Sequence, residues 1–260
     1  VYTPFGLGGG RERSNNQAGQ EGLTAGDTLS KDPVLRQQQE LALIQQPAVW
    51  QQVLHTADEA ALKFKGMRVP SEKAIWATEF NVRADNSAIR GTWANTLFIL
   101  RFYNHFLAAP QVQLTHYHNI QGTPFGAYFS NEDGFRHVKT ANLKSTPGAL
   151  TAGGLAIHLM ATASKGANRA TAIELTPGNG ETGNIMGWLF EGKKSCMILV
   201  NNSEKPMLLK AGKLQGAKGT VYSVGLAHYV NGWDGISSLT SVVNKELQLP
   251  PFSVSIWQLK

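Results

Sequence analysis

Residues 73–81 read Lys-Ala-Ile-Trp-Ala-Thr-Glu-Phe-Asn, an apolar run of strand type that ends in a carboxylate, Glu79, with an amide, Asn81, beside it. A buried strand gains nothing structurally from a charge near its tip, because a desolvated carboxylate is costly unless paired. A carboxylate so placed suits nucleophilic or acid–base chemistry. Its plainer use is a solvated strand end paired with Arg83 or Arg90. Asn81 could bond a ligand hydroxyl near Glu79 or simply cap the following turn. A second cluster, His116-Tyr117-His118-Asn119, closes another apolar run. A strand period of two sets His116 and His118 on one face and Tyr117 and Asn119 on the other. Either pair could hydrogen-bond ligand hydroxyls or orient Glu79, and satisfied strand-end histidines are the alternative. Two histidines in register could begin a metal site, but no third ligand is evident, so neither a metal nor another cofactor is expected.

The remaining motifs carry less chemistry. Gly6, Gly8, Gly9 and Gly10 lack the Gly-Lys-Ser/Thr ending of a phosphate loop, which leaves a plain loop. Gln37 to Gln39, Gln45-Gln46 and Gln51-Gln52 read as polar helix surface. Trp50, Trp93 and Trp188 fall in periodic runs and are expected in the core. Tyr229 and Trp233, in a Gly-rich stretch over 225–235, are candidates for a loop that stacks on a ligand ring, although packing is the commoner use of such side chains. The single cysteine, Cys196, sits in an apolar run, cannot form an internal disulfide, and is expected to be a buried inert thiol. Asn201-Asn202-Ser203 is a glycosylation sequon.

Composition narrows the classes. The chain has 260 residues, 42% hydrophobic and 16% charged, enough for a sizeable core in one large domain or two ordinary ones. The net charge of +6 and pI near 9.4 come from scattered Lys and Arg. No basic patch is interleaved with aromatics, so no nucleic-acid partner is expected. No apolar stretch has the length to cross a bilayer, so no membrane partner is expected. The start at Val1 reads as a processed protein or a fragment.

Elements then follow from period and punctuation. Residues 1–31 read as a long loop. Asp32 and Pro33 open a helix to about 46, and Pro47 opens another through 65. A strand from 73, a polar loop over 81–90, a helix over 92–107, a strand over 112–120 and a helix over 145–164 complete the first part. This rhythm is that of βα units, and a unit of roughly 40 residues suits a (β/α) barrel. Near Gly166 helical periodicity stops. Short strands are expected over 170–175, 185–190, 195–201, 207–210, 219–224, 246–249 and 252–259, which argues for an antiparallel β-sandwich. The alternation of Ser253 and Ser255 with Val254 and Ile256 reads as a half-buried final strand, just after Pro250-Pro251. The domains expected are 1–166, part of an α/β (β/α)8 TIM-type barrel, and 167–260, an all-β sandwich. A partial barrel leaves an open parallel edge and a bare apolar face, which need covering.

The Thr-Glu-Phe-Asn string, set on a strand before a helix, a second strand and a β-domain ending in Leu249-Pro250-Pro251-Phe252-Ser253-Val254, resembles clan A glycoside hydrolases. The nearest resemblance is to the α-L-arabinofuranosidases and β-xylosidases, over roughly 70–260. It implies a retaining glycoside hydrolase acting on a plant or algal poly- or oligosaccharide, with Glu79 as the nucleophile. It also implies that a second carboxylic acid stands about 5–5.5 Å away as the proton donor. In these families the donor usually follows an Asn on an earlier strand. No Asn-Glu pair occurs in this chain. The expectation is therefore the C-terminal half of an enzyme, inactive alone, secreted or periplasmic, and completed by an upstream segment or a second chain. Asn81, His116, Tyr117, His118 and Asn119 are the expected substrate contacts. The alternative is a non-catalytic carbohydrate-binding or structural module with a degenerate barrel.

Overall fold

Asp32 starts helix α1 (Pro33–Ile44) by accepting hydrogen bonds at Oδ1 from the backbone N–H of Val34 (2.8 Å) and Leu35 (2.9 Å). These satisfy two of the four orphan donors at a helix start, and Pro33 at the first position needs no partner. The computed structural model describes residues 2–4, 29–65, 69–83, 87–117, 119–121, 126–139, 141–173 and 184–259, with the backbone alone at 2–4, 60–65, 78–83 and 213. Gln37, Glu40 and Ile44 are the buried stripe of α1. Gln37 is thus no surface residue: its Nε2 donates to the His137 carbonyl (2.6 Å) and its Oε1 accepts from the Lys139 N–H. Helix α2 (Pro47–Lys65) buries Trp50, Val53, Leu54 and Ala57.

The described residues mix helix with both parallel and antiparallel sheet. The chain divides into two compact units, residues 1–156 with 226–233, and residues 157–225 with 234–260. In the first, three strands form a parallel sheet in the order β1 (Tyr2–Pro4), β2 (Ile75–Arg83), β3 (Val112–Tyr117). The loop expected at the N-terminus therefore holds a strand, because β1 pairs with the end of β2 at Asn81, Val82 and Arg83. After a 3-10 turn (Ala88–Gly91), helix α3 (Trp93–Leu107) is apolar on nearly every side and correspondingly buried, from Trp93 through Phe98 to Phe106. Helix α4 (Ala152–Ser164) starts later than expected, after a turn in which Gly148 has φ +81. The Pro147-Gly148 pair keeps 145–151 out of the helix.

In the second unit, β4 (Ala167–Ala172), β5 (Ile185–Gly192), β6 (Cys196–Asn201), β8 (Lys218–Ser223), β9 (Ser237–Val242) and β11 (Ser253–Gln258) form one antiparallel sheet in the order β4-β5-β6-β11-β8-β9. β7 (Met207–Lys210) and β10 (Glu246–Leu249) form a separate antiparallel pair. Met207, Leu209, Leu247 and Leu249 of that pair join Leu199, Val221 and Trp257 of the large sheet in one core cluster. The final strand is buried on both faces rather than one, being central between β6 and β8. Its serines survive burial because Ser255 Oγ accepts from Trp257 Nε1 (2.9 Å) and Ser253 Oγ donates to the Pro250 carbonyl (2.7 Å).

Two smaller expectations change. Cys196 is half-buried, and desolvation raises its thiol pKa. Asn201, the sequon's acceptor, is fully buried, with its Nδ2 donating to the Lys205 (2.9 Å) and Pro250 (2.8 Å) carbonyls. A glycan has no access to it in the folded chain.

Candidate active site

Glu79 lies within β2, one residue before Phe80, and Phe80 pairs in parallel register with Tyr117, the last residue of β3. Measured against β3, Glu79 therefore stands at the C-terminal end of the pair, where βα folds keep their ligands. The strand does not end there. It runs on to Arg83 because β1 supplies a second parallel neighbour, so Asn81 pairs with Tyr2 and lies in a strand rather than a turn. The β2–β3 ladder shifts register twice, between Ile75 and Trp76 and between Ala77 and Phe80. The second shift brackets Thr78 and Glu79. Irregular pairing of this kind is over-represented at sheet edges, at barrel rims and next to active sites.

The structure also says which face of β3 is covered. The Tyr117 ring packs over Gly153 in the first turn of α4, in the space a Cβ would need, and Ala77, paired with Thr115, is buried on the same side. Trp76, Leu114 and His116 lie on the other face and are exposed, Trp76 at 64%. His116 and Tyr117 are thus separated by the sheet. His118 lies outside the described residues. Asn119, just beyond β3, accepts at its carbonyl from the Ala127 N–H (3.1 Å), and its buried Oδ1 has no hydrogen-bond partner among the described residues. No group of three His, Cys, Asp or Glu side chains able to hold a metal occurs among the described residues.

Sequence reasoning missed two features of this region. The first is Glu40, whose buried carboxylate accepts from Ser87 Oγ (2.8 Å), the Ala88 N–H (3.1 Å) and Arg36 Nε (3.3 Å). It ties α1 to the connection between β2 and α3. The spacing of Gln37, Glu40 and Ile44 was the available signal, since it places all three on one helical stripe. The second is the stretch 226–233. Its carbonyls at His228 and Leu226 accept from the Trp93 (2.8 Å) and Ala94 (3.0 Å) N–H groups, which caps α3 where Thr92 makes no side-chain cap. Val230 N–H donates to the Gly91 carbonyl (2.8 Å), and the Tyr229 ring meets Phe135 edge-on at 5.8 Å. Tyr229 therefore packs inside the first unit.

No protein-family model matches the chain, and no curated protein matches it in sequence. Solved structures do. The chain is similar to a GH51 arabinofuranosidase from Xanthomonas axonopodis pv. citri, with TM-score 0.53 and 12% identity over 82% of this chain and 47% of that one. It is also similar to an arabinose-bound MgGH51 α-L-arabinofuranosidase, with TM-score 0.50 and 14% identity over 78% of this chain and 35% of that one. The likeness is one of fold. The chain has a glycosidase-like fold, and it spans about half the length of the first neighbour and about a third of the second. Within that fold, the parallel pair β2–β3 is the element that carries the sequence's strongest chemical candidate.

Proposed function

We propose that this chain is the C-terminal part of a retaining glycoside hydrolase acting on a poly- or oligosaccharide, with Glu79 as its nucleophile. One observation carries the reading: in a glycosidase-like fold, Glu79 lies on a parallel strand, level with the end of its neighbour, where the ladder is irregular. Residues 1–166 are then the last part of a (β/α)8 barrel, and residues 167–260 a β-sandwich appended to it. The Glu79 carboxylate attacks the anomeric carbon, the bond to the leaving oxygen breaks, and a covalent glycosyl-enzyme forms. A second carboxylic acid protonates that oxygen, then as a carboxylate takes a proton from the water that releases the sugar. That acid belongs to an upstream segment of the same polypeptide, in keeping with the 47% of the first neighbour's length that this chain spans.

His116, His118, Asn119 and Asn81 are the proposed hydroxyl contacts. Tyr117, whose ring lies against α4, acts by holding the end of β3 in place. A polysaccharide substrate places the enzyme outside the cytoplasm, secreted or periplasmic. The test is Glu79→Gln in the full polypeptide containing this chain. The amide keeps the size and hydrogen-bonding capacity but cannot form a glycosyl ester, so turnover should fall by roughly three orders of magnitude or more. Far-UV circular dichroism and sugar affinity should be unchanged. Turnover at the parent rate would overturn the assignment.

A further inference from the structure

Past the end of β3 the first unit builds a second, smaller ladder that the proposed chemistry does not use. Gln121 bridges in parallel to Tyr128, and Tyr128 bridges antiparallel to Leu150. The bonds that flank the second bridge are Phe129 N–H to the Ala149 carbonyl (2.9 Å) and Thr151 N–H to the Ala127 carbonyl (2.9 Å). Tyr128 and Leu150 are thus a non-hydrogen-bonded pair, and the Leu150 carbonyl points away from Tyr128. There it accepts from the Gly232 N–H at 2.8 Å. The order across this ladder is 121, 128, 150, 232. Asn231 fixes the last member, with Oδ1 accepting from the Thr146 N–H (2.9 Å) and Nδ2 donating to Thr146 Oγ1 (3.2 Å).

On either side of Leu150 stands a partly exposed aromatic residue: Tyr128 at 42% and Trp233, next after Gly232, at 39%. Gly232, at φ +66, makes the turn immediately before Trp233. With neighbouring strands about 4.8 Å apart, the backbones that carry the two rings stand about 10 Å apart across Leu150. An exposed ring gains from an amphipathic partner that covers its face and still hydrogen-bonds outward, and a sugar ring is such a partner. Both rings ride on the connection after β3 or on the stretch hydrogen-bonded to it, which is the side where strand C-termini face their ligands.

We infer that Tyr128 and Trp233 form an aromatic platform that stacks two sugar rings of the substrate chain, setting a preference for oligosaccharides over monosaccharides. This rests on the glycosidase reading and deepens it. The platform binds sugar units away from the scissile bond, and Glu79 does the chemistry.

Calorimetric titration of the full polypeptide containing this chain, with its Glu79→Gln form as the parent so that bound sugar is not turned over, tests this against arabinotriose, xylotriose and arabinose. The parent should bind a trisaccharide more tightly than arabinose. Trp233→Ala and Tyr128→Ala should each weaken trisaccharide binding roughly tenfold and leave arabinose binding little changed. Trp233→Phe should stay within about threefold of the parent, because it keeps a stacking face. Absence of trisaccharide binding in the parent would overturn the platform, as would parent-like binding by both alanine variants. A loss in Trp233→Phe as large as in Trp233→Ala would also overturn it, since packing rather than stacking would then explain the residue. Should Trp233→Ala fail to fold, Tyr128→Ala decides alone. The two readings separate cleanly. Weakened binding by the platform variants with full turnover by Glu79→Gln removes the nucleophile and keeps the platform. The reverse pattern keeps Glu79 and removes the platform.

Discussion

Arg101 grips Asp58 with two hydrogen bonds, Nε to Oδ1 (2.7 Å) and Nη2 to Oδ2 (2.9 Å), and His105 Nε2 lies 2.7 Å from the same Oδ1. Burial alone would raise the Asp58 pKa, but the His105 and Arg101 hydrogen bonds and charges outweigh it and hold the carboxyl at about 2, against an ordinary 3.8. A lowered carboxyl pKa adds stability that is present above the unfolded value and is lost as pH falls through the folded one. Asp58→Asn should therefore cost on the order of 2 kcal/mol at pH 7, measured by urea unfolding, with the penalty shrinking toward pH 2. His137 adds to the same loss of stability in acid, although for it burial is the lowering cause. Burial, with the Arg90 charge next, pushes its pKa down to about 3, against a raising hydrogen bond at the Gly134 backbone. Below the ordinary value of 6.5 the unfolded chain takes up a proton that the folded chain refuses, so stability falls as the pH drops. His137→Gln should flatten this slope, which amounts to about 2 kcal/mol between pH 6.5 and 5. Thermal melts across that range would read the difference. An unchanged slope would show that His137 takes up its proton alike in the folded and unfolded states.

At the scale of elements, glycine placement is diagnostic. A Cβ on Gly154 of α4 would run into the Ala127 backbone carbonyl, which has no rotamer to escape by, whereas a Cβ on Gly148 would meet nothing and face only its positive φ. Gly154→Ala should cost about 3 kcal/mol and Gly148→Ala about 1 kcal/mol, compared by chemical denaturation. Equal costs would mean that α4 sits further from the 127 loop than described. Elements with sharp punctuation were legible from the chain alone. β7 and β10 alternate buried and exposed residues and lie where their period placed them, and Pro47 starts α2. β9 escaped notice because Ser237–Val242 is an edge strand with Leu239 and Val242 exposed, so it has no apolar period to detect. β1 escaped notice because three residues gain strand character only from β2. Glu79 was legible as a carboxylate on an apolar strand. The docking of 226–233 was not, because it is made by backbone groups that carry no side-chain signal.

At the scale of the whole chain, residues 226–233 belong with the first unit although they follow most of the second in sequence. Val230 is fully buried there, and the N-terminal N–H groups of α3 depend on the 226 and 228 carbonyls. A fragment of residues 1–166 should accordingly melt below the intact chain, and a peptide of residues 225–235 added in trans should raise its melting temperature. No response to the peptide would show that the stretch is held there by its own chain connections alone. The central claim is chemical, and covalent labelling tests it most directly. The full polypeptide containing this chain should be treated with a mechanism-based glycosyl inactivator, digested and sequenced by mass spectrometry. One sugar per molecule on the peptide carrying Glu79, absent in Glu79→Gln, is the predicted result. A stoichiometric adduct on any other residue, with Glu79 unmodified, would contradict the account.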